Sequence, residues 1–190
     1  MCRKNVTDWV IDHLSPGEVL GKHVLEVGSV NINGSVRPGI MAMKPLSYIG
    51  MDIEPQQGFV DVVCDAEVLL DVFDAGVMDI VISTEVLEHV KDWRKVIQNM
   101  KDVLKPGGLI ILTTRAPGYP YHDAPEDHWR YDEKHMRAIF ADYDIQHLYT
   151  TSPGSWPHDI FVKAVKPLKP SPSPVDLSEI HLEEAPNANG

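Results

Sequence analysis

A short apolar run that leads directly into a glycine loop constrains the fold of this chain most. Residues 24–27 (VLEV) form a run that is too short for a helix, so it predicts a buried strand. The acid Glu26 lies near the carboxyl end of this strand, and Gly28 follows the strand at once. Glycine lets the backbone turn tightly and lets a ligand approach without a Cβ atom in the way. The loop after Gly28 contains neither the G-x-G-x-x-G dinucleotide fingerprint nor the lysine of a phosphate-binding loop.

Further strands alternate with helical stretches along the rest of the chain. A helix that begins near Asp92 carries apolar residues every three or four positions and ends at residues 106–108 (PGG). Shorter helices are predicted at Val6–Leu14 and Pro38–Ala42, at Ala66–Phe73, and after Asp132. Strands are predicted at Ser47–Asp52, Val60–Val63, Asp79–Ser83 and Leu109–Thr114, and at Ile145–Thr151 and Ile160–Val165, the last two joined by a turn at Ser152–His158. The pattern predicts a doubly wound, Rossmann-like α/β sheet that is mostly parallel and has a C-terminal antiparallel strand pair.

Length and composition predict one folded domain over residues 1–166. From Pro167 onwards the chain is rich in proline, serine and acid, so residues 167–190 are expected to form a disordered or loosely docked tail. The net charge of −11 disfavours a nucleic acid as the main partner, because phosphate binding requires clustered lysine and arginine.

Cysteine content and hydropathy indicate a reducing, cytoplasmic setting. Cys2 and Cys64 are too few for a disulfide framework or a cysteine-based zinc site. No apolar stretch approaches the length of a membrane span, and the first ten residues lack the apolar region of a signal peptide. We therefore expect no membrane association, and the oligomeric state is left open.

The ends of five strands carry an ordered set of motifs. The set resembles class I S-adenosylmethionine (SAM)-dependent methyltransferases, especially the small "methyltransferase type 11" kind, over about residues 20–166. DIVISTEVLEHVKDW followed by LKPGGLIILTT is its most specific part. The family usually has a second glycine where this chain has Val30. The motifs are Glu26-x-Gly28, Asp52, Asp65-Ala66, Ser83-Thr84-Glu85 and the Lys105-Pro106-Gly107-Gly108 turn.

The resemblance implies the class I methyltransferase fold, SAM as the cofactor and S-adenosylhomocysteine as its product. Gly28 would admit the methionine portion, Asp52 would accept hydrogen bonds from the ribose hydroxyls, and Asp65 would accept from the adenine amine. The alternatives that Asp52 is a turn residue and Asp65 a helix cap stay open. The full set of implied cofactor residues is Glu26, Gly28, Ser29, Asp52, Ile53, Asp65, Ala66, Ser83 and Glu85.

Two histidines are candidates for a general base. His89 follows the fourth strand, where a helical turn would place it on one face with Glu85 and Glu88. His122 lies in the loop after the fifth strand and is slightly favoured, because that loop should face the acceptor. The alternative for His89 is a structural role in closing the turn before Val90.

The same loop is expected to form a lid on the substrate side. Its candidate substrate residues are Tyr119, Tyr121, Trp129 and Arg130. In the alternative interpretation, Trp129 anchors the loop and Arg130 is its surface ion-pair partner. Metal ligands were considered among His122, Asp123, Asp127 and His128, but their spacing matches no compact metal motif, so no metal is expected.

These observations favour a methyltransferase that acts on an oxygen or nitrogen of a small molecule or of a sugar- or lipid-linked precursor. A protein or RNA methyltransferase is the alternative within the enzyme class. A SAM-binding protein without catalytic activity, whose task is interaction, is the alternative outside that class. The acceptor itself is not specified by motifs that serve the cofactor.

Overall fold

Helices and strands alternate along the chain, as the sequence predicts. The computed structural model describes residues 4–123, 126–151, 158–169, 171 and 175–186. Within these ranges the helices are α1 (Lys4–Asp12), α2 (Pro16–Val19), α3 (Arg37–Ala42), α4 (Trp93–Val103) and α5 (Glu133–Ile139), with 3₁₀ helices at Ala66–Asp71 and Leu177–Glu179. The strands are β1 (His23–Val27), β2 (Ser47–Asp52), β3 (Val62–Val63), β4 (Met78–Thr84), β5 (Leu104–Arg115), β6 (Trp129–Arg130), β7 (Asp144–Thr150), β8 (Asp159–Val165) and β9 (Glu183–Glu184).

Seven of these strands form one sheet in the order β3-β2-β1-β4-β5-β8-β7. The pairs from β3 through β5 are parallel, whereas β8 is antiparallel to β5 and β7 is antiparallel to β8. Strands β6 and β9 form a separate antiparallel pair. The predicted doubly wound, mostly parallel sheet with a C-terminal antiparallel pair is confirmed.

The strand order reverses between β1 and β4. From β1 the chain proceeds outwards through β2 to β3, and then returns to β4 on the other side of β1. The loops after β1 and β4 therefore leave the sheet in opposite directions and open a crevice beyond the carboxyl ends of the strands. This is the place where open α/β sheets bind their ligands.

Helices cover both faces of the sheet because successive side chains of a strand point to opposite faces. On β1, Leu25 and Val27 belong to the core that contains α4 and α5, whereas Val24 belongs to the core that contains α1 and α3. Alternation places Glu26 on the same face as Val24, so its carboxyl points away from α4.

Aspartates cap two helices at the positions where the sequence predicts that these helices begin. An Asp92 side-chain oxygen accepts a hydrogen bond from Lys95 N at the start of α4, and an Asp132 oxygen accepts from His135 N at the start of α5. Each bond satisfies a backbone donor that the first helical turn leaves without an intrahelical partner.

Two local predictions are corrected. The PGG segment at 106–108 lies within β5, which begins at Leu104 because Leu104 pairs with Met78. The segment forms an irregularity before Leu109 pairs with Ile80, and Gly107 and Gly108 exchange backbone hydrogen bonds with Lys166. The predicted helix at Ala66–Phe73 is a 3₁₀ helix with a kink at Val68. Most of the predicted turn at Ser152–His158 lies outside the described residues.

Of the two expectations for the tail, residues 175–186 follow the docked one, since they pack against the folded domain. Leu177 and Ile180 are buried in the same core as α4. The guanidinium of Arg94 on α4 donates to the carbonyl oxygens of both residues, at 2.9 and 2.5 Å. Strand β9 then pairs with β6. Val175 and Leu182 also pack against this core, so four apolar side chains and the two hydrogen bonds from Arg94 hold the segment in place.

We predict that the double change Leu177→Ala and Ile180→Ala lowers the free energy of unfolding by about 2–4 kcal/mol, because it removes two nearly buried aliphatic side chains. Urea denaturation of the full chain measures this change. Leu168→Ala is the matched control, since Leu168 is 80% exposed and its loss should have little effect. Equal stability of the double variant and the wild type would show that the segment is not docked in solution.

Candidate functional site

A cavity of about 410 Å³ lies beyond the carboxyl ends of β1, β2 and β4. This is the crevice that the reversal of strand order creates. Its floor is apolar, and carboxylates line its sides. The lining residues are Val27, Gly28, Val30, Ile32, Met51, Asp52, Ile53, Glu54, Cys64, Asp65, Ala66, Glu67, Thr84, Glu85, Val86, His89, Val90, Lys91 and Glu126.

Six of the nine predicted cofactor residues line this cavity: Gly28, Asp52, Ile53, Asp65, Ala66 and Glu85. The other three do not contribute to the lining. Glu26 faces the opposite side of the sheet, where its Oε2 accepts a 2.5 Å hydrogen bond from the Tyr48 hydroxyl. Ser29 and Ser83 are buried in the packing behind the cavity. The cofactor role of all nine residues stays a prediction.

The turn at Gly28 requires glycine for two reasons. Its φ of +84° lies in the left-handed region that other residues rarely adopt. An ideal Cβ atom at this position would lie 2.0 Å from Cγ2 of Val86, in the segment after β4. Glycine therefore allows the loop after β1 to pack directly against the loop after β4, which closes one wall of the cavity.

The two carboxylates predicted to hold the cofactor also organise their own loops. Asp52 accepts hydrogen bonds from Val30 N at 3.0 Å and from Glu54 N at 3.2 Å. Asp65 caps the 3₁₀ helix by accepting from Glu67 N at 2.8 Å. A carboxylate has about four acceptor positions, so each group can keep these bonds and still accept from a ligand. The structural and the ligand-binding interpretations are therefore compatible.

A buried ionic cluster lies directly behind the cavity. The Arg115 guanidinium at the end of β5 forms ion pairs with Glu85, Glu88 and Asp159. Hydroxyl groups of β5 support the two glutamates: Thr113 donates to Glu85 and Thr114 donates to Glu88, both at 2.8 Å.

Glu85 connects this cluster to the cavity. Its φ of +59° is unusual for a residue with a side chain and costs about 1 kcal/mol or more. Burial, together with the charge of Glu88, raises the pKa of Glu85 to about 8. Burial acts to raise the pKa of Glu88, but the positive charges around it, of which Arg115 contributes most, together lower this pKa. Glu85 therefore binds a proton more readily than Glu88, although both acids pair with the same arginine.

The two candidate bases are in contact, but only His89 lines the cavity. The ring centroids of His89 and His122 lie 4.8 Å apart, and His122 sits behind His89. Burial, together with the nearby Arg115 charge, lowers the pKa of His122 to about 4, so this imidazole is neutral at physiological pH. The structure therefore shifts the preference from His122 to His89.

The predicted substrate-side residues do not contribute to the lining of the cavity. Trp129 anchors its loop by donating from Nε1 to Val90 O at 2.9 Å. Arg130 pairs with Asp127 at 2.6 Å, and both side chains are buried, so this ion pair is not on the surface. The Tyr119 ring lies beneath the Arg115 guanidinium, 4.2 Å from its carbon to the ring centroid. Tyr121 is half-buried. These residues shape the loop rather than the cavity wall.

Sequence reasoning missed the acid at the rim and the cation behind the cavity. Glu126 lines the cavity, and its carbonyl oxygen is 2.5 Å from Nδ1 of His89. Arg115 reads from the sequence as an ordinary polar residue after a strand, and no local pattern signals that it is buried. Residues Ala124 and Pro125 of the same loop lie outside the described residues.

A family model described as a methyltransferase domain matches residues 9–154. This match covers most of the chain, including every strand end that lines the cavity. The chain belongs to this methyltransferase domain family. The resemblance predicted from the strand-end motifs is thereby confirmed.

Curated relatives are named for O-methylation of a small molecule. The ubiquinone biosynthesis O-methyltransferase of Coxiella burnetii is 33% identical over 104 residues, which is 50% of this chain and 44% of that protein. The chain thus spans less than half the length of this relative.

Solved structures share the fold of this methyltransferase domain. A SAM-dependent methyltransferase from Mesorhizobium loti matches with a TM-score of 0.63 and 17% identity, covering 84% of this chain and 98% of that chain. Magnesium protoporphyrin IX methyltransferase from Synechocystis, with bound SAM, matches with a TM-score of 0.62 and 20% identity. The match covers 85% of this chain and 78% of that chain. Within the part of the chain that the structure describes, no helix has both the length and the apolar character needed to span a membrane.

The buried acid Glu26 should make stability depend on pH. Burial raises its pKa to about 7, so the folded state binds more protons than the unfolded state between about pH 4.5 and 7. Stability should therefore fall as the pH rises through this window, by about 1.4 kcal/mol per pH unit at most. In Glu26→Gln this part of the slope should disappear, as measured by urea denaturation from pH 4.5 to 8.

Glu54→Gln is the control for this measurement, because Glu54 is exposed and should leave the slope in place. An unchanged slope in Glu26→Gln would contradict the assignment. Cofactor affinity, measured on the same variant, separates this structural role from the predicted cofactor role of Glu26.

Proposed function

We propose that this methyltransferase domain binds SAM in the cavity and transfers its methyl group to an oxygen or nitrogen of a small molecule. The observation that carries the proposal is the convergence of Gly28, Asp52, Asp65, Ala66 and Glu85 on one cavity at the switch point of the sheet. These residues lie at the carboxyl ends of four different strands, β1 to β4. Because the chain belongs to a methyltransferase domain family, binding of SAM is the function that explains why these residues line one cavity.

The residues present fit the cofactor. Asp52 would accept from the ribose hydroxyls while keeping its bonds to the loop, and Asp65 would accept from the adenine amine. Gly28 lines the cavity, and its backbone would face the methionine portion. Bound SAM supplies an electrophilic methyl group, and its loss to the acceptor leaves S-adenosylhomocysteine.

Val30, which stands where the family usually has a second glycine, does not close the cavity. Val30 lines the cavity, and its backbone N–H donates to Asp52. The missing glycine is the feature that favours a SAM-binding protein without activity, and the open cavity removes this argument. Activity is therefore favoured over a role in interaction alone.

One end of the cavity is suited to receive the acceptor. His89, Val90, Lys91 and Glu126 form this end, and Lys91 pairs with Glu126 at 3.3 Å. The carbonyl oxygen at 2.5 Å from Nδ1 of His89 requires the proton to be on Nδ1, which leaves Nε2 free to accept a proton. His89 would thus remove the proton from an acceptor hydroxyl or amine.

A small-molecule acceptor is supported by two observations. The curated relatives are named ubiquinone biosynthesis O-methyltransferase, and the net charge of this chain is −11. Protein or RNA methylation remains the alternative within the enzyme class. The cytoplasmic setting predicted from the sequence stays a prediction.

We predict that Asp52→Ala weakens the binding of SAM and S-adenosylhomocysteine by about 1–3 kcal/mol, the scale of hydrogen bonds to a charged group. Isothermal titration calorimetry of the full chain measures the affinity, and circular dichroism verifies that the variant is folded. Asp71→Ala, an exposed acid on the nearby 3₁₀ helix, is the control and should bind like the wild type. Tight binding of a nicotinamide dinucleotide in place of SAM would overturn the proposal.

We also predict that His89→Gln lowers the rate of methyl transfer by about 10²–10⁴-fold, which is the usual contribution of a positioned base. Cofactor binding should not be weakened. Transfer from methyl-labelled SAM to a panel of phenols, catechols and amines, in buffer with a chelator, provides the assay. His122→Gln should have a smaller effect because His122 does not line the cavity. Full activity of His89→Gln would remove His89 from the mechanism.

A further inference from the structure

The loop after β5 is supported by a segment that lies outside the part of the chain matched by the family model. This segment is residues 175–186, which we call the C-terminal segment. Its strand β9 pairs with β6 in the loop, and Ala185 N donates to His128 O at 2.8 Å. We propose that Ala185 is a positioning residue for methyl transfer: its backbone bond to His128 keeps the Glu126 carbonyl in place to orient the His89 ring. The inference deepens the proposed function and rests on it for the role of His89.

The backbone of His128 is held by two separate parts of the chain. Its N–H donates to Glu88 O, in the turn after β4, at 2.7 Å, and the N–H of Trp129 approaches the same oxygen at 3.4 Å. Its carbonyl oxygen accepts from Ala185 N. His128 thus joins the turn that carries His89 to the C-terminal segment.

The position of His128 is passed on to Glu126, two residues earlier in the same loop. The two side chains are in contact, since Nε2 of His128 is 3.1 Å from Oε2 of Glu126. The Glu126 carbonyl oxygen is in turn 2.5 Å from Nδ1 of His89. Hydrogen bonds weaken steeply when their distance or angle departs from the ideal. A displacement of His128 that moves Glu126 therefore loosens the bond that keeps the His89 proton on Nδ1.

The C-terminal segment is anchored independently of this loop. Leu177 and Ile180 are buried in the core that contains α4, and the Arg94 guanidinium on α4 donates to the carbonyl oxygens of both residues. Helix α4 begins at Trp93, shortly after the turn that carries His89. The bond from Ala185 therefore restrains the loop relative to the element that directly follows His89.

Small displacements at this place matter for proton removal. A general base has to lie within hydrogen-bond reach of the proton that it removes, and a misplacement of about 1 Å can cost about 10²-fold in rate. None of the described residues of the C-terminal segment lines the cavity. Ala185 therefore acts through His128 and Glu126 and does not touch the acceptor.

A purely structural role of the C-terminal segment predicts a different result. The anchors that would contribute to stability are Leu177, Ile180 and the bonds from Arg94, whereas Ala185 is a half-buried residue with a small side chain. Loss of the Ala185 N–H leaves these anchors in place. An effect on His89 that follows from this one backbone group distinguishes positioning from stabilisation.

The test compares Ala185→Pro with Ala185→Ser in the full chain. Proline has no N–H to donate, whereas serine keeps this donor and is the matched control. Glu184, the preceding residue, lies in a strand, which is the conformation that a following proline favours. Circular dichroism and SAM affinity, both expected to match the wild type, verify that Ala185→Pro is folded.

The first readout is the tautomer of His89, which needs neither SAM nor acceptor. It is measured from the NMR chemical shifts of the imidazole nitrogens at about pH 8, where histidine is ordinarily neutral. The spectrum of His89→Gln assigns the signal among the nine histidines. We expect the wild type and Ala185→Ser to carry the proton on Nδ1, and Ala185→Pro to show an increased population with the proton on Nε2.

The second readout is methyl transfer from labelled SAM. We expect kcat/KM for the acceptor to fall at least about tenfold in Ala185→Pro, because the base is no longer held in position, while SAM affinity is unchanged. Ala185→Ser should match the wild type. Amide hydrogen exchange of Ala185 in the wild type needs no variant, and we expect this amide to be protected.

Five results would overturn the proposal. In the wild type they are rapid, unprotected exchange of the Ala185 amide and a His89 proton on Nε2. In folded Ala185→Pro they are an unchanged tautomer and an unchanged kcat/KM. An equal loss in Ala185→Ser is the fifth, because serine keeps the donor. A wild type that binds no SAM contradicts the proposed function alone, since the tautomer is measured without the cofactor.

Discussion

The burial of one guanidinium among three carboxylates is the constraint on which the site depends. Arg115 ends β5, Glu85 and Glu88 follow β4, and Asp159 begins β8, so their ion pairs join three neighbouring strands at the same end of the sheet. Removing a partner from a buried cluster of this kind leaves an uncompensated charge and typically costs about 3–5 kcal/mol. The cluster therefore fixes the turn after β4, and with it the direction of Glu85 and His89 towards the cavity.

The cavity itself results from the topology of the sheet together with one glycine. Because the strand order reverses between β1 and β4, the two loops that leave these strands diverge and leave space between them. At Gly28 the loops nevertheless touch, since the missing side chain lets the backbone approach Val86. The result is a cleft that is closed on one side and lined by acids that end β2 or follow β3. The same acids cap or tie their own loops, so a cofactor would meet groups that are already held in place.

The acceptor side is held by long-range contacts rather than by local ones. Trp129 fixes the loop after β5 to the turn after β4, and Arg130 fixes the same loop internally through Asp127. Residues 175–186 then add β9 to β6, and Ala185 N donates to His128 O. A segment close to the end of the chain thus supports the loop that carries Glu126 to the rim of the cavity. The proposed acceptor end depends on this support, because the Glu126 carbonyl accepts a hydrogen bond from Nδ1 of His89.

The sequence by itself determined the alternation of strands and helices, the helix starts near Asp92 and Asp132, and the strand-end positions Gly28, Asp52 and Asp65. These features follow from periodicity and from local hydrogen bonding, which depend on neighbours a few residues away. Only the tertiary structure decided that Glu26 faces away from the cavity, that Arg115 is buried, and that Leu177 and Ile180 dock the tail. It also decided that His122 meets Glu88 and His89 across two loops. Burial and convergence depend on which segments the sheet brings together, and no local pattern carries that information.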